Sequence, residues 1–389
     1  MAADPLVERM RGFGTTIFAE MSALATSTGA VNLGQGFPDY DGPAEVLDAA
    51  VAAIRAGRNQ YPPGRGIPEL RQAVAAHQQH WYGLSYDPET EVLITAGATE
   101  AITAAILALC EPGAEVIALE PTYDSYAASV AMAGARLVPL RLEFPDYALD
   151  PERLASLITP RTRLILINSP HNPTGRVLTE TELAAIADVA VRHDLLVLAD
   201  EVYEHLTFDG HRHRSLATFP EMRERTIRVS SAGKTFSATG WKIGWVSSTP
   251  ELVSAVTTTK QFLTYVNGAP FQWAVATGLR LPDERFEEIR ARMQAGRDQL
   301  VPALEATGMR LAPSQGTYFV TADISPLGYD DGYAFCRRLP ELCGVVAIPA
   351  QVFYADPDTQ ARRIVRFGFC KRSEVLAEAA ERLAALRPR

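Results

Sequence analysis

From about Glu91 the chain alternates short, β-branched apolar runs with longer segments whose apolar positions recur at helical spacing. The runs EVLITAG, AEVIALEP, ARLVPLRL, RLILINSP, LLVLADE, TIRVSS and KIGWVSS read as strands of a sheet covered on both faces. Between them, Thr179 to His193 sets Leu183, Ile186, Ala187 and Ala190 on one helical face behind a Thr-Glu-Thr-Glu start, which suits a capped N-terminus. This βαβ alternation predicts a doubly wound α/β domain, with a mostly parallel sheet of seven strands between layers of helices.

After about Pro282 the pattern changes. A long charged helix over Asp283–Thr307 leads to MRLAPSQGTYFVTADI, a helix around Tyr333–Leu342, strands near VVAIP and RIVRFGF, and a closing helix. Elements that no longer alternate regularly predict a smaller α+β domain. A chain of 389 residues is also long for one compact core, since single cores stop growing near roughly 250 to 300 residues. The pattern divides the chain into a large domain over 46–281 and a smaller one over 282–389, with residues 1–45, including the Gly/Pro-rich NLGQGFPDYDGP, as a lead-in. The family motifs set out below imply that this lead-in packs with the C-terminal part, making a small domain of 1–45 and 282–389. No repeat or flexible linker separates the two.

Charge narrows the choice of ligand. With 37 basic and 46 acidic side chains the net charge is -9, which argues against a nucleic-acid or anionic-membrane surface. An anionic ligand must therefore meet locally placed Lys or Arg. Cys110, Cys336, Cys343 and Cys370 form no CxxC pair, so neither a disulfide framework nor a zinc knuckle is expected. The N-terminus MAADPLVERMRG lacks the apolar run of a secretory signal, and no stretch is long enough for a membrane span, so a cytoplasmic protein is expected.

In open α/β sheets ligands bind beyond the carboxyl ends of the strands. Four such ends carry chemistry. EVLITA runs into Gly97, Ala98, Thr99 and Glu100 and then a helix, whose free N–H groups suit a phosphate. RLILI ends at Asn168, followed by SPHNP with Asn172; LLVLA ends at Asp200; TIRVS ends at Ser231, three residues before Lys234. Each has a plain structural reading as a helix cap, a turn or a solvated charge. Their convergence on one sheet edge is what points to a site.

The same residues fit a phosphate-loop nucleotide-binding site poorly. Gly233-Lys234-Thr235 needs a glycine at 228, where Arg228 stands, and the acidic strand precedes the lysine loop. The pairs His77/His80 and His211/His213 lack a third ligand in the pattern, so surface positions are expected and no metal. There is no GxSxG elbow, and Gly34-Gln35-Gly36 lacks the third glycine of a dinucleotide fingerprint. A lysine, a buried acid, an amide and a phosphate cradle at one edge are what pyridoxal 5'-phosphate requires. The lysine condenses with its aldehyde, and the acid keeps the ring nitrogen protonated.

At these residues the chain resembles the class I aminotransferases of the pyridoxal-phosphate fold type I group. The resemblance runs from NLGQGFPD through NQYPPG, NSPHNPTG, ADEVYEHL and SSAGKTFSATGWKIGW to VRFGFCK. It is strongest to the kynurenine aminotransferase (glutamine transaminase K) branch, and within that to actinobacterial N-succinyldiaminopimelate aminotransferases. The resemblance implies a ping-pong transaminase with 2-oxoglutarate or another 2-oxo acid as the acceptor. It assigns Lys234 as the Schiff-base lysine, Asp200 as the partner of the ring nitrogen, and Asn172 and Tyr203 as hydrogen-bonding partners of the ring 3-oxygen. Tyr123 would stack on the ring. Ala98, Thr99, Ser231 and Lys242 would hold the phosphate, and Tyr61 would reach it across a homodimer interface.

For the substrate, the resemblance implies Arg366 as the fork for the α-carboxylate, with Gly36 approaching the same group and Asn172 beside it. Phe18 stands where kynurenine aminotransferases often have Trp, and FLTYVNGAP offers Tyr265 where they have a Phe-His pair. Both departures weigh against kynurenine itself. A second arginine for a distal carboxylate is not evident beyond Arg65, which disfavours an aspartate-specific enzyme. The expected donor is N-succinyl-L,L-diaminopimelate. The alternatives are kynurenine, glutamine, methionine or aromatic amino acids with a cysteine-conjugate β-lyase side activity, or a catalytically silent binding protein on the same fold.

Overall fold

A computed structural model describes residues 5–14 and 16–386. In chain order its strands are β1 (Val31–Asn32), β2 (Val92–Thr95), β3 (Glu115–Glu120), β4 (Arg136–Arg141), β5 (Thr162–Asn168), β6 (Leu196–Asp200) and β7 (Thr226–Ser231). They continue as β8 (Gly244–Ser247), β9 (Arg310–Leu311), β10 (Phe319–Asp323), β11 (Val345–Val346), β12 (Ile348–Pro349) and β13 (Ile364–Gly368). The seven apolar runs form one seven-stranded sheet in the order β2-β8-β7-β6-β5-β3-β4.

Alternation along the strands explains their nearly unbroken hydrophobicity. In β5, Ile165 and Ile167 pack with Leu183 and Ile186 of the 180–192 helix on one face, while Leu164 and Leu166 join Ile102, Ile106 and Val130 on the other. The 180–192 helix starts at a capping box. Glu182 N–H donates to Thr179 Oγ1 at 3.2 Å, and Thr179 N–H donates to Glu182 Oε2 at 2.8 Å.

Only β8 runs against its neighbours, being antiparallel to both β7 and β2. A parallel partner needs a crossover that carries the chain back to the other edge, whereas the 232–243 segment, with its helical turns Ala232–Thr235 and Thr239–Trp241, stays along the cavity at the carboxyl edge, so the strand comes back reversed. β2 again points the same way as β7, and the carboxyl ends of β2, β5, β6 and β7 therefore share one edge.

The second sheet is antiparallel, β12-β13-β10-β9, and β1 pairs in parallel with β11. VVAIP, which reads as one strand, is split at Ala347: β11 joins β1 and β12 joins β13. Ile17, Met21 and Leu33 share an apolar core with Val320, Val365, Phe367 and Leu376. The 283–305 helix spans two cores. Phe286 packs with Val46, Leu70 and Trp245, whereas Met293, Leu300 and Leu304 pack with the C-terminal strands. The four cysteines are free and buried. Among the described residues, no helix is long and apolar enough to cross a membrane.

Candidate active site

The four carboxyl ends open into a cavity of about 260 Å³ lined by Ala98, Thr99, Tyr123, Asn172, Asp200, Tyr203, Ser231, Lys234 and Lys242. Arg366 reaches it from β13, and Phe18 and Gly36 from the N-terminal segment. At one end the helix beginning at Gly97 presents its first turn. Gly97 has φ +73°, and the Lys242 ammonium stands 3.2 Å from where a Cβ would be, so a side chain there would press on the cation. Lys242 is itself left-handed, at φ 54°, and Asn267 Nδ2 donates to its carbonyl at 3.0 Å and to Thr95 O at 3.1 Å. That amide ties the lysine loop to the end of β2.

Asp200 closes β6 and is fully enclosed. Tyr126 Oη donates to its Oδ2 at 2.6 Å, and Val202 N–H donates to Oδ1 at 3.3 Å. Burial pushes its carboxyl up to about 6, against the pull of those two bonds and of the Lys234 charge. Asn168 braces the neighbouring backbone: its Nδ2 donates to Asp200 O at 2.9 Å, and its Oδ1 accepts from Asn172 N–H at 2.7 Å.

Lys234 follows β7, with Nζ 5.8 Å from the Tyr203 ring centre and 5.7 Å from that of Tyr318. Burial lowers its ammonium to about 8, with Lys242 and Arg366 pushing the same way and Cys370 and Asp200 opposing. Burial also holds the Tyr203 phenol well above its usual range, and raises Tyr123 to about 12.

Arg366 is 1% exposed. Its Nη1 donates to Asn172 Oδ1 at 2.9 Å and its Nη2 to Gly34 O at 3.1 Å, while the buried Nε has no partner among the described residues. The rings of Phe319, Phe353 and Phe18 surround the guanidinium, with centres 3.9, 4.9 and 5.4 Å from Cζ. Burial in this aromatic box lowers Arg366 to about 10. Gly36 is required by closeness: a Cβ would stand 2.6 Å from Phe319 Cζ, and Tyr318 Oη donates to Gly36 O at 2.6 Å.

Tyr61 and Tyr265 lie off this cavity. They meet edge to face at 5.6 Å, and are 82% and 53% exposed. Arg65 is also elsewhere, donating to the carbonyls of Glu89 and Thr90. The expectation of surface histidines holds for His80 and His211 and fails for His77, which is 3% exposed, and for the enclosed His213 side chain. His77 sits at helical spacing with Leu70 and Val74, a signal that placed it on the buried face. Sequence reasoning also missed Tyr126 and Tyr318. Tyr126 follows Tyr123 by three residues at the start of one helix, and that spacing alone aligns them.

The class I and II aminotransferase family model matches residues 28–383. A probable N-succinyldiaminopimelate aminotransferase of Mycobacterium tuberculosis is 54% identical over 392 residues, covering 98% of this chain and 99% of its own. A methionine aminotransferase of Escherichia coli is 39% identical, covering 99% and 100%. The solved structure of N-succinyldiaminopimelate aminotransferase from Mycobacterium tuberculosis matches with a TM-score of 0.96 at 55% identity, over 98% of this chain and 100% of that one. Sequence and architecture agree over almost the whole length, and on that ground the chain belongs to the class I and II aminotransferases and has their fold type I architecture.

Proposed function

We propose that the cavity binds pyridoxal 5'-phosphate and that the enzyme moves an amino group from N-succinyl-L,L-diaminopimelate to 2-oxoglutarate. The observation that carries the cofactor is charge. Three cations, Lys234, Lys242 and Arg366, line one enclosed space with a single carboxylate, Asp200, in a protein of net charge -9. That surplus fits a phosphate dianion and a substrate carboxylate. Ala98, Thr99, Ser231 and Lys242 would hold the phosphate, Tyr123 would cover the ring face, and Asn172 and Tyr203 would bond its phenolic oxygen. Asp200 would pair with the ring nitrogen, a cation that draws an acid poised near 6 into its ionised form.

When bound, the cofactor supplies an aldehyde for the Lys234 amine and a ring that withdraws electrons from the substrate Cα. The remaining work falls to the chain. With its pKa near 8, Lys234 is neutral in roughly one molecule in ten at pH 7, a free amine that would hold the cofactor's aldehyde and, once displaced by the substrate amine, would be the base facing the Cα proton. Arg366, at the cavity wall, would clamp the α-carboxylate through its guanidinium, fixing Cα near the lysine. Phe18 and Phe319 close the apolar side of the space and exclude water.

The donor rests on the 54% identity to the Mycobacterium tuberculosis relative. A homodimer is part of the same proposal. Tyr61, Phe262, Leu263 and Tyr265 are exposed hydrophobics, Tyr61 and Tyr265 in ring contact, and a second copy of the chain would cover them and carry Tyr61 towards its phosphate. We further assign 46–281 to a cofactor domain, 1–45 with 282–389 to the domain that closes on substrate, and the protein to the cytoplasm. The test is an amino-donor panel with 2-oxoglutarate. The succinylated diamino acid is expected to give the highest kcat/KM; methionine or kynurenine exceeding it tenfold would overturn the donor.

A further inference from the structure

Behind the cavity, on the far side of the same strand ends, lies a buried polar cluster that none of the steps above uses. Strand alternation sends Arg228 and Ser230 of β7 to that side while Ser231 lines the cavity. The turn after β6 is divided in the same way. Asp200 and Tyr203 line the cavity, and Glu201, Glu204 and His205 enter the cluster.

Arg228 Nε donates to Glu201 Oε2 at 2.6 Å, and its Nη2 lies 3.4 Å from Glu204 Oε2. Ser230 Oγ donates to Glu204 Oε1 at 2.5 Å, and Ser215 Oγ to Glu201 Oε1 at 2.9 Å. His213 Nε2 is 3.2 Å from Glu201 Oε2, and His77 and His205 share a hydrogen bond of 2.8 Å between their Nε2 atoms.

His77, His205 and Glu204 have the donor types of a divalent-cation site. The hydrogen bonding favours a different role. Gln78 Nε2 donates to His77 Nδ1 at 3.2 Å, which leaves the His77 proton on Nε2, where it is given to His205. Arg228 already brings positive charge to both carboxylates.

We propose that Glu204, Arg228 and Ser230 are positioning residues for the active site. They clamp the turn that carries Asp200 and Tyr203 to the strand that delivers Ser231 and Lys234, and so set the distance between the lysine amine and the groups facing it. Charge-assisted bonds in a low-dielectric interior are both strong and geometrically demanding, and a displacement of about 1 Å at a reacting group is costly. The proposal rests on the reading that the cavity binds pyridoxal 5'-phosphate.

The test uses Glu204→Gln, Ser230→Ala and Ser230→Thr in the full chain. The readouts are the dissociation constant of pyridoxal 5'-phosphate titrated into cofactor-free protein, the pH midpoint of the bound cofactor's visible absorbance, and kcat and KM. Glu204→Gln is expected to weaken cofactor binding at least tenfold and shift the midpoint. It should also lower kcat at least tenfold with KM within threefold, because Arg366 stands on a different strand. Ser230→Ala should show a smaller loss of the same kind, and Ser230→Thr should restore it. Cofactor affinity within twofold of wild type and an unmoved midpoint, with only the melting temperature lowered, would overturn the proposal. Should Glu204→Gln fail to fold, the serine pair decides alone. Wild-type protein that does not bind the cofactor overturns the cavity reading and this one with it. Stoichiometric zinc in wild type, absent in His77→Gln, would replace the clamp with a metal centre.

Discussion

Replacing Tyr126 with phenylalanine removes one hydroxyl and almost no volume, and so isolates the 2.6 Å bond to Asp200 Oδ2. Hydrogen bonds to a charged group contribute about 1.5 to 3 kcal/mol, which corresponds to roughly 1 to 2 pKa units of support for the ionised carboxylate. Asp200 already stands near 6 because burial outweighs its partners. Without Tyr126 it should move higher still in cofactor-free protein. The sign follows directly: a raised carboxyl is protonated over more of the neutral range, and its pairing with a ring cation weakens. Pyridoxal 5'-phosphate affinity should fall roughly 10- to 100-fold, and the acid limb of the kcat/KM profile should move up by about 1 to 2 pH units. Cofactor titration and a pH series from 5.5 to 9 measure both. An unmoved acid limb together with affinity within twofold would refute the assignment of Asp200 and its support by Tyr126.

Lys234→Ala should lose at least about 100-fold in kcat, and borohydride should attach no cofactor to it; full turnover would remove the lysine from the mechanism. Arg366→Ala should lower kcat/KM for α-carboxylate substrates about 100-fold, equivalent to ~3 kcal/mol for a buried charge-assisted contact, and an unchanged value would place the carboxylate elsewhere. Acid stability tests the histidine pair. Burial lowers His77 to about 3 and His205 to about 4, below the ordinary 6.5, so the unfolded chain takes up protons that the folded chain refuses. Stability should therefore fall as pH drops from about 6.5 to 4, by up to about 2.7 kcal/mol per unit for the pair. His77→Gln should halve that slope in urea titrations; an identical slope would show that the pair is not buried and neutral.

The strands of the large sheet other than the edge strand β4 were legible because they are buried on both faces, and an unbroken run such as LLVLADE has few other ways to fold. Lys234, Asp200 and Asn172 were legible for a related reason, since polar residues placed directly after such runs stand at the sheet's binding edge. The split of VVAIP between two sheets was hidden, because its residues are apolar whichever strand they join. His77 shows the opposite case. A close pair of histidines suggests solvent, but its neighbours at helical spacing decided its side of the helix.

By itself the sequence determined the α/β alternation, the residues at the strand ends and an acidic chain that must gather its cations locally. Those properties are written in local periodicity and composition. Only the tertiary structure decided that Arg366 meets Asn172 across 194 residues, that Tyr126 grips Asp200, and that one turn after β6 serves two sides at once, the cavity and the Arg228 cluster. The first contact arises because the second sheet packs over the edge of the first, the other two because neighbouring strands and a covering helix meet within the large sheet, and pairings between distant elements leave no periodic trace in either segment.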